Sequence, residues 1–200
     1  MKRKELDVVF LLDRSGSMAN LEEDTIGGYK SYLDKQRKNK FNTYITTVLF
    51  DDKYEVLHDR CSIKDVKDIT KKEYYVRGCT ALMDAIGKTI KNIEHQTDNK
   101  VLFVITTDGL ENASKEYTKS SIKRLIKKHS DWEFIYLGAD IDSSSEAASM
   151  GISTRNAYDY TKSKTGTRAL FNSISKAVDC MYTCDELDDS WAEELKSNQE

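Results

Sequence analysis

Proline is absent from this 200-residue chain, and histidine, cysteine and tryptophan are scarce, at three, four and two copies. Without proline, cis-prolyl turns are excluded. His58, His95 and His129 stand singly and read as surface or core residues rather than ligands. Cys61, Cys79, Cys180 and Cys184 include no C-x-x-C pair. The last two are four apart on an expected helix, a spacing that reads as buried thiols rather than a disulfide or zinc site. Long hydrophobic runs are also missing. The apolar run that follows the basic start MKRK, Val8 to Leu12, is bracketed by Asp7 and Asp13 and is too short for an export segment. Nothing approaches the ~20 apolar residues of a membrane span. A reduced, cytoplasmic location is therefore expected.

Charge of one sign is likewise lacking. A net charge of −3 gives no ground for nucleic-acid binding, and 32% charged residues with a mean hydropathy of −0.64 describe a well-solvated surface. The acid is uneven: residues 179–200 hold eight Asp or Glu against one Lys. The length suits one α/β domain with a sizeable core. We assign residues 1–184 to that domain and 185–200 to an acidic C-terminal tail.

What the chain does contain is alternation. LDVVFLL (6–12), KVLFVITT (100–107) and WEFIYLGA (132–139) are near-continuous apolar runs, the pattern of strands buried on both faces. FNTYITTVLF (41–50) and KYEVLHD (53–59), joined by Asp51-Asp52, suit a hairpin, and NAYDYT (156–161) is a weaker strand. Helices are expected over 21–38 with Asn20 as N-cap, 80–95, 115–129 with Ser114 as cap, a short one opened by Ser143-x-x-Glu146 and closed by Gly151, and 165–184. Gly27-Gly28 inside the first helix costs ~1 kcal/mol per glycine relative to alanine, and close packing against the sheet is the expected reason. Strands alternating with helices predict an α/β fold with a mostly parallel sheet covered on both faces. Ligand sites then lie at the carboxyl ends of the strands.

Three segments put oxygen-bearing side chains at such ends: VVFLLDRSGSMA, RGCTALMDAIG and FVITTDGLENAS. Asp13, Ser15, Ser17, Thr80 and Asp108 form an all-oxygen set with no imidazole or thiolate in motif spacing. Such a set suits a hard divalent ion, Mg²⁺ first, with Mn²⁺ or Ca²⁺ as alternatives. A D-x-S-x-S string alone is common, and Asp followed by Ser also caps helices. Thr80 and Asp108 at matching strand ends raise it above that reading. Arg14 reads as a solvated loop cation. Asp51, Asp52 and Glu111 read as the polar rim of the same edge rather than a second metal site.

Asp13-Arg14-Ser15-Gly16-Ser17, followed by Thr80 in GCTALMDAIG and Asp108 in TTDG, resembles the metal-ion-dependent adhesion site (MIDAS) of the von Willebrand factor A (vWA) domain. The resemblance covers about 1–184, and TTDGLENAS looks like the intracellular or phage-associated bacterial members. It implies a Rossmann-like sheet with an ion at its upper edge, between the first and fourth strands. It also implies that Ser15 and Ser17 ligate directly, Thr80 directly or through water, and Asp13 and Asp108 through coordinated waters. The partner implied is a protein that supplies a Glu or Asp as the remaining ligand, with neither nucleic acid nor membrane involved.

A non-enzymatic, metal-dependent binding module is therefore the expected function. The alternative is a Mg²⁺-dependent phosphoryl-transfer enzyme of phosphatase type, but that class wants a second carboxylate two residues after the first, where this chain has Ser15. There is neither a nucleotide-binding G-x-x-x-x-G-K-[ST] loop nor a G-x-S-x-G nucleophile elbow. DELDDSWAEELKSNQE (185–200) pairs Trp191 with Leu195 at helical spacing and leaves two readings open. It is either a capping extension packed on the domain or a source of an acidic pseudo-ligand for the metal site.

Overall fold

Strand β1 (Glu5–Asp13) is buried over nearly its whole length because both its faces are covered. The structure is a computed structural model, and it describes residues 5–184 and 186–197. On one face Val8, Phe10 and Leu12 pack with Tyr29, Tyr32 and Leu33 of α1 (Glu22–Gln36) and Leu170, Ile174 and Val178 of α5 (Lys164–Thr183). On the other, Val9 and Leu11 pack with Ile86 and Ile90 of α2 (Leu82–Ile93), Ile122 of α3 (Lys119–Lys128) and Met150 of α4 (Ser143–Met150). Each such side chain contributes roughly 1.5–3 kcal/mol on burial. Phe10 meets the Tyr29 and Tyr32 rings edge-on at 5.2 and 4.9 Å.

The other strands are β2 (Asn42–Phe50), β3 (Tyr54–Ser62), β4 (Lys100–Thr107), β5 (Glu133–Gly138) and β6 (Ala157–Asp159). They form a six-stranded sheet in the order β3-β2-β1-β4-β5-β6. Every neighbouring pair is parallel except the β2–β3 hairpin at one edge. The α/β expectation holds. The chain leaves β1 towards β2 on one side and returns through α2 to β4 on the other, so the winding reverses between β1 and β4. At such a switch point the loops above the strands diverge and leave a crevice.

Several local expectations need correction. Asn20 does not cap α1: it sits at φ 72, in the left-handed region that asparagine tolerates, and α1 starts after Leu21 with no side-chain cap. Helix α3 starts at Lys119, and its cap is Thr118, in a reciprocal capping box with Ser121. Asp142, accepting from Ser145 N, caps α4, where Ser143 was expected to. Gly151 does end that helix, at φ 84. Gly28 lies against the Phe171 ring of α5, which leaves no room for a Cβ, whereas Gly27 faces open space.

Residues 186–197 pack against α5 and β6, the arrangement of the capping reading. Trp191 and Leu195, the latter on α6 (Glu193–Ser197), are each 1% exposed, and Trp191 meets the Tyr158 ring edge-on at 5.3 Å. Asp189 pairs with Arg155 at 2.9 Å, and Glu194 accepts from Asn172 at 2.9 Å. Residues 1–4, 185 and 198–200, which belong to the basic start and the acidic segment of the sequence reading, lie outside the described residues. Among the described residues no helix is long and apolar enough to cross a membrane.

Candidate metal centre

The crevice between β1 and β4 is lined by the residues singled out from sequence. Asp13 is the last residue of β1, and Asp108 follows the last residue of β4. After Asp13 the chain turns through a single 3₁₀ turn, Gly16–Met18, anchored by Gly16 N donating to Gly78 O at 3.2 Å. That turn places Ser15 and Ser17 on one side, with their Oγ atoms 3.1 Å apart. Ser17 Oγ donates to Asp108 Oδ1 at 2.5 Å. Thr80, just before α2, is fixed by Asn112: Thr80 N donates to Asn112 Oδ1 at 2.9 Å, and Asn112 N returns to Thr80 O at 3.0 Å.

Gly109 shows how closely the three hydroxyls converge. A Cβ on Gly109 would lie 3.0 Å from Thr80 Oγ1, 3.1 Å from Ser17 Oγ and 3.8 Å from Ser15 Oγ. A side chain here would crowd all three; the hydroxyls of two separate loops, Ser15 and Ser17 after β1 and Thr80 before α2, share one small cradle. Behind it stand two carboxylates, Asp13 at 0% and Asp108 at 5% exposure. Both Asp13 oxygens are committed: Oδ1 accepts from Ser15 N at 2.7 Å and Oδ2 from Thr107 Oγ1 at 2.6 Å. Burial pushes the Asp13 carboxyl up to about 6, the hydrogen bonds from Thr107 and Ser15 pull against this, and Asp108 adds to the rise as a like charge. A cradle of hydroxyl oxygens backed by buried carboxylates is the donor set of a hard divalent cation, so the residues fit the ion that the sequence implied. Among the described residues no group of three or more His, Cys, Asp or Glu forms another candidate metal site.

Asp108 has a second neighbour that the sequence did not announce. Its Oδ2 accepts no well-formed hydrogen bond among the described residues, but Lys162 Nζ stands 3.0 Å away and also 3.2 Å from Asp140 Oδ2. Partial burial draws the Lys162 ammonium down, and Asp108 and Asp140 outweigh this, holding it above the usual lysine range.

Arg14 is not the solvated cation expected. Its side chain is fully buried: Nε donates to Asp51 Oδ2 at 2.9 Å, Nη2 to Glu55 at 2.7 Å and Nη1 to Glu73 O at 3.1 Å. Asp51 is equally buried and also pairs with Arg77 at 2.7 Å. Burial pushes the Asp51 carboxyl up, but Arg77, Lys53 N–H and Arg14 together bring it below the usual range. Asp51 is thus part of a buried ion network and not rim, while Asp52 is exposed. Glu111 caps the start of α2 from across the crevice, accepting from Met83 N at 2.8 Å and from Ala113 N and Ser114 N at 2.9 and 2.7 Å. Besides Lys162, sequence reasoning missed Thr107, Asn112 and Tyr74, whose hydroxyl donates to Asp13 O at 2.5 Å. Only Thr107 had a signal, its place beside Asp108 at the end of a buried strand.

No protein-family model and no curated protein matches the sequence. Solved structures do match the fold. Proximal thread matrix protein 1 from the mussel byssus, in a form with a zinc-occupied MIDAS motif, superposes with a TM-score of 0.66 at 18% identity over 89% of this chain and 46% of that one. The pilus adhesin SpaC from Lactobacillus rhamnosus GG gives 0.70 at 14% identity over 88% and 30%. A von Willebrand factor type A protein from Catenulispora acidiphila gives 0.60 at 10% over 88% and 42%. The chain therefore has the vWA fold, and it spans less than half the length of each of these proteins. At such identities the likeness concerns fold alone.

Proposed function

We propose that this domain is a non-catalytic, divalent-metal-dependent protein-binding module that docks an acidic side chain of a partner at a MIDAS. The observation that carries this reading is the convergence of the Ser15, Ser17 and Thr80 hydroxyls around Gly109 in front of two buried carboxylates. Ser15, Ser17 and Thr80 would hold the ion through hydroxyl oxygens, and Asp13 and Asp108 would accept hydrogen bonds from its water ligands. Mg²⁺ is the leading candidate and Mn²⁺ or Ca²⁺ the alternatives. When bound, the ion supplies a Lewis-acidic position open to a carboxylate oxygen. That zinc occupies the motif of the byssus protein supports a divalent ion in this place.

The phosphatase-like alternative is the weaker reading on geometric grounds. The Asp13 carboxylate, which would be the nucleophile, is fully buried, and the position two residues on, where that class wants a second carboxylate, is Ser15. A cytoplasmic setting and a bacterial or phage-type origin fit the same reading. Cys61, Cys79, Cys180 and Cys184 are all free thiols.

Calorimetric titration of the wild type and a Ser15→Ala/Ser17→Ala variant with Mg²⁺ and Mn²⁺ tests the site. Saturable binding is expected for the wild type alone. Equal binding by both, or phosphatase or ATPase turnover with either metal, would overturn the proposal. Capture of partners with and without EDTA, comparing the wild type with Asp13→Ala, then tests the docking role.

A further inference from the structure

Three strand-end loops meet at one ammonium group. Lys162 lies between β6 and α5, Asp140 follows β5 and Asp108 follows β4. The Lys162 loop is held at both ends. Tyr160 N donates to Gly138 O at 2.8 Å, and Ser163 Oγ caps α5 by accepting from Gly166 N at 3.1 Å. Asp108 divides its two oxygens: Oδ1 takes the Ser17 hydroxyl of the cradle, and Oδ2 faces Lys162. The Asp108 side chain is fully buried, so its charge is poorly screened by water, while the Lys162 side chain is 31% exposed. Asp140, at φ 56, holds the ammonium from the solvent side of the pair, with its own side chain 68% exposed.

We propose that Lys162 is a tethered counter-cation that sets the metal affinity of the site by pairing with the carboxylate a divalent ion requires. The inference rests on the metal-binding reading above. Asp13 and Asp108 lie at the cradle with a fixed positive charge already paired to one of them. Entry of a divalent ion proceeds against that charge, and the cost is Coulombic and salt-dependent. Asp140 moderates it, because it shares the ammonium with Asp108.

Two substitutions within this cluster should therefore act in opposite directions. Titrated with MnCl₂ in low salt, Lys162→Gln should bind about tenfold more tightly than wild type, and the gain should shrink at ~0.5 M NaCl. Lys162→Arg keeps the charge and should stay within about twofold of wild type. Asp140→Asn leaves the ammonium to Asp108 alone and should weaken Mn²⁺ binding several-fold. Melting in EDTA separates charge from mere packing: Lys162→Gln should melt below wild type without metal, yet gain more from added Mn²⁺.

Unchanged or weaker Mn²⁺ binding by Lys162→Gln, beside a wild type that binds, would overturn the counter-cation while leaving the metal site standing. Absence of Mn²⁺ binding by wild type and every variant would overturn both.

Discussion

Thr107 Oγ1 donates to Asp13 Oδ2 at 2.6 Å, tying the carboxyl ends of β4 and β1 together beside the hydroxyl cradle. The bond orients a carboxylate that is fully buried and has Asp108 nearby as a like charge. Without a cation, that negative charge costs folding free energy. Asparagine keeps the shape: its Oδ1 still accepts from Ser15 N, its Nδ2 donates to the Thr107 hydroxyl, and that hydroxyl turns to Gly109 O, 3.1 Å away. Asp13→Asn should thus stabilise the metal-free protein by about 1–2 kcal/mol, a melting shift of roughly 3–6 °C, while removing the metal response. Melting curves in EDTA and in Mg²⁺ check both halves. A lower melting point in EDTA would mean that the hydrogen bonds to the carboxylate outweigh its buried charge.

Gly109→Ala is the smallest change aimed at the cradle. The backbone of Gly109 is not in the left-handed region, so alanine fits the chain, but its methyl would meet Thr80 Oγ1 and Ser17 Oγ at 3.0 and 3.1 Å. We expect divalent binding to fall by tenfold or more while stability changes by about 1 kcal/mol or less. Calorimetry with Mn²⁺ and a chemical denaturation curve give the two numbers. Retained affinity would show that the ion does not use the space between these hydroxyls.

Arg14 belongs to stability. Its guanidinium reaches Asp51, Glu55 and a backbone carbonyl in three directions, a pattern that a lysine ammonium cannot reproduce. Arg14→Ala leaves Asp51 with Arg77 alone as a charged partner and should cost about 3–5 kcal/mol, with Arg14→Lys recovering only part of it. Urea denaturation of the three proteins measures this. Wild-type stability in Arg14→Lys would return Arg14 to the role of a generic cation.

The contrast between Arg14 and Asp108 shows what the sequence could carry. Both stand beside recognisable motif residues, but Asp108 follows a buried strand at a switch point, so topology alone puts it at the cradle. Arg14 meets Asp51 and Glu55 only because β1 pairs with β2 and β2 folds back on β3, partners 37 and 41 residues away. Nothing local in DRSGS distinguishes a buried guanidinium from a solvated one. Lys162 was hidden in the same way within the polar stretch TKSKTG, as its partners come from two other loops. The sheet was legible because runs such as VVFLL and KVLFVITT can be buried on both faces only at its centre. The expected start of α3 failed because residues 108–118 take a different local solution. Their backbone is held by Glu111 and by Asp84, which accepts from Lys115, Glu116 and Tyr117 N–H groups.

Acid should loosen the end of the molecule opposite the metal site. Glu94, at the C-terminus of α2, accepts from Lys91 and Lys128 at 2.7 Å each and lies 2.9 Å from His129 Nε2, joining the ends of α2 and α3. Lys128 first and then Lys91, with His129 adding, hold its carboxyl down at about 2. Because the folded state lowers this value, the stabilisation is fully present above the ordinary glutamate range near 4.5 and is lost as pH falls through it towards 2. The lysine side chains are 46% and 61% exposed, so solvent screens much of the effect and roughly 1–2 kcal/mol is the expected size. Wild type should therefore exceed Glu94→Gln by that amount at pH 7 in low salt, with the difference shrinking steadily between pH 5 and about 2. Paired urea titrations across that range decide it. A difference that does not change with pH would assign Glu94 a packing role rather than an ionic one.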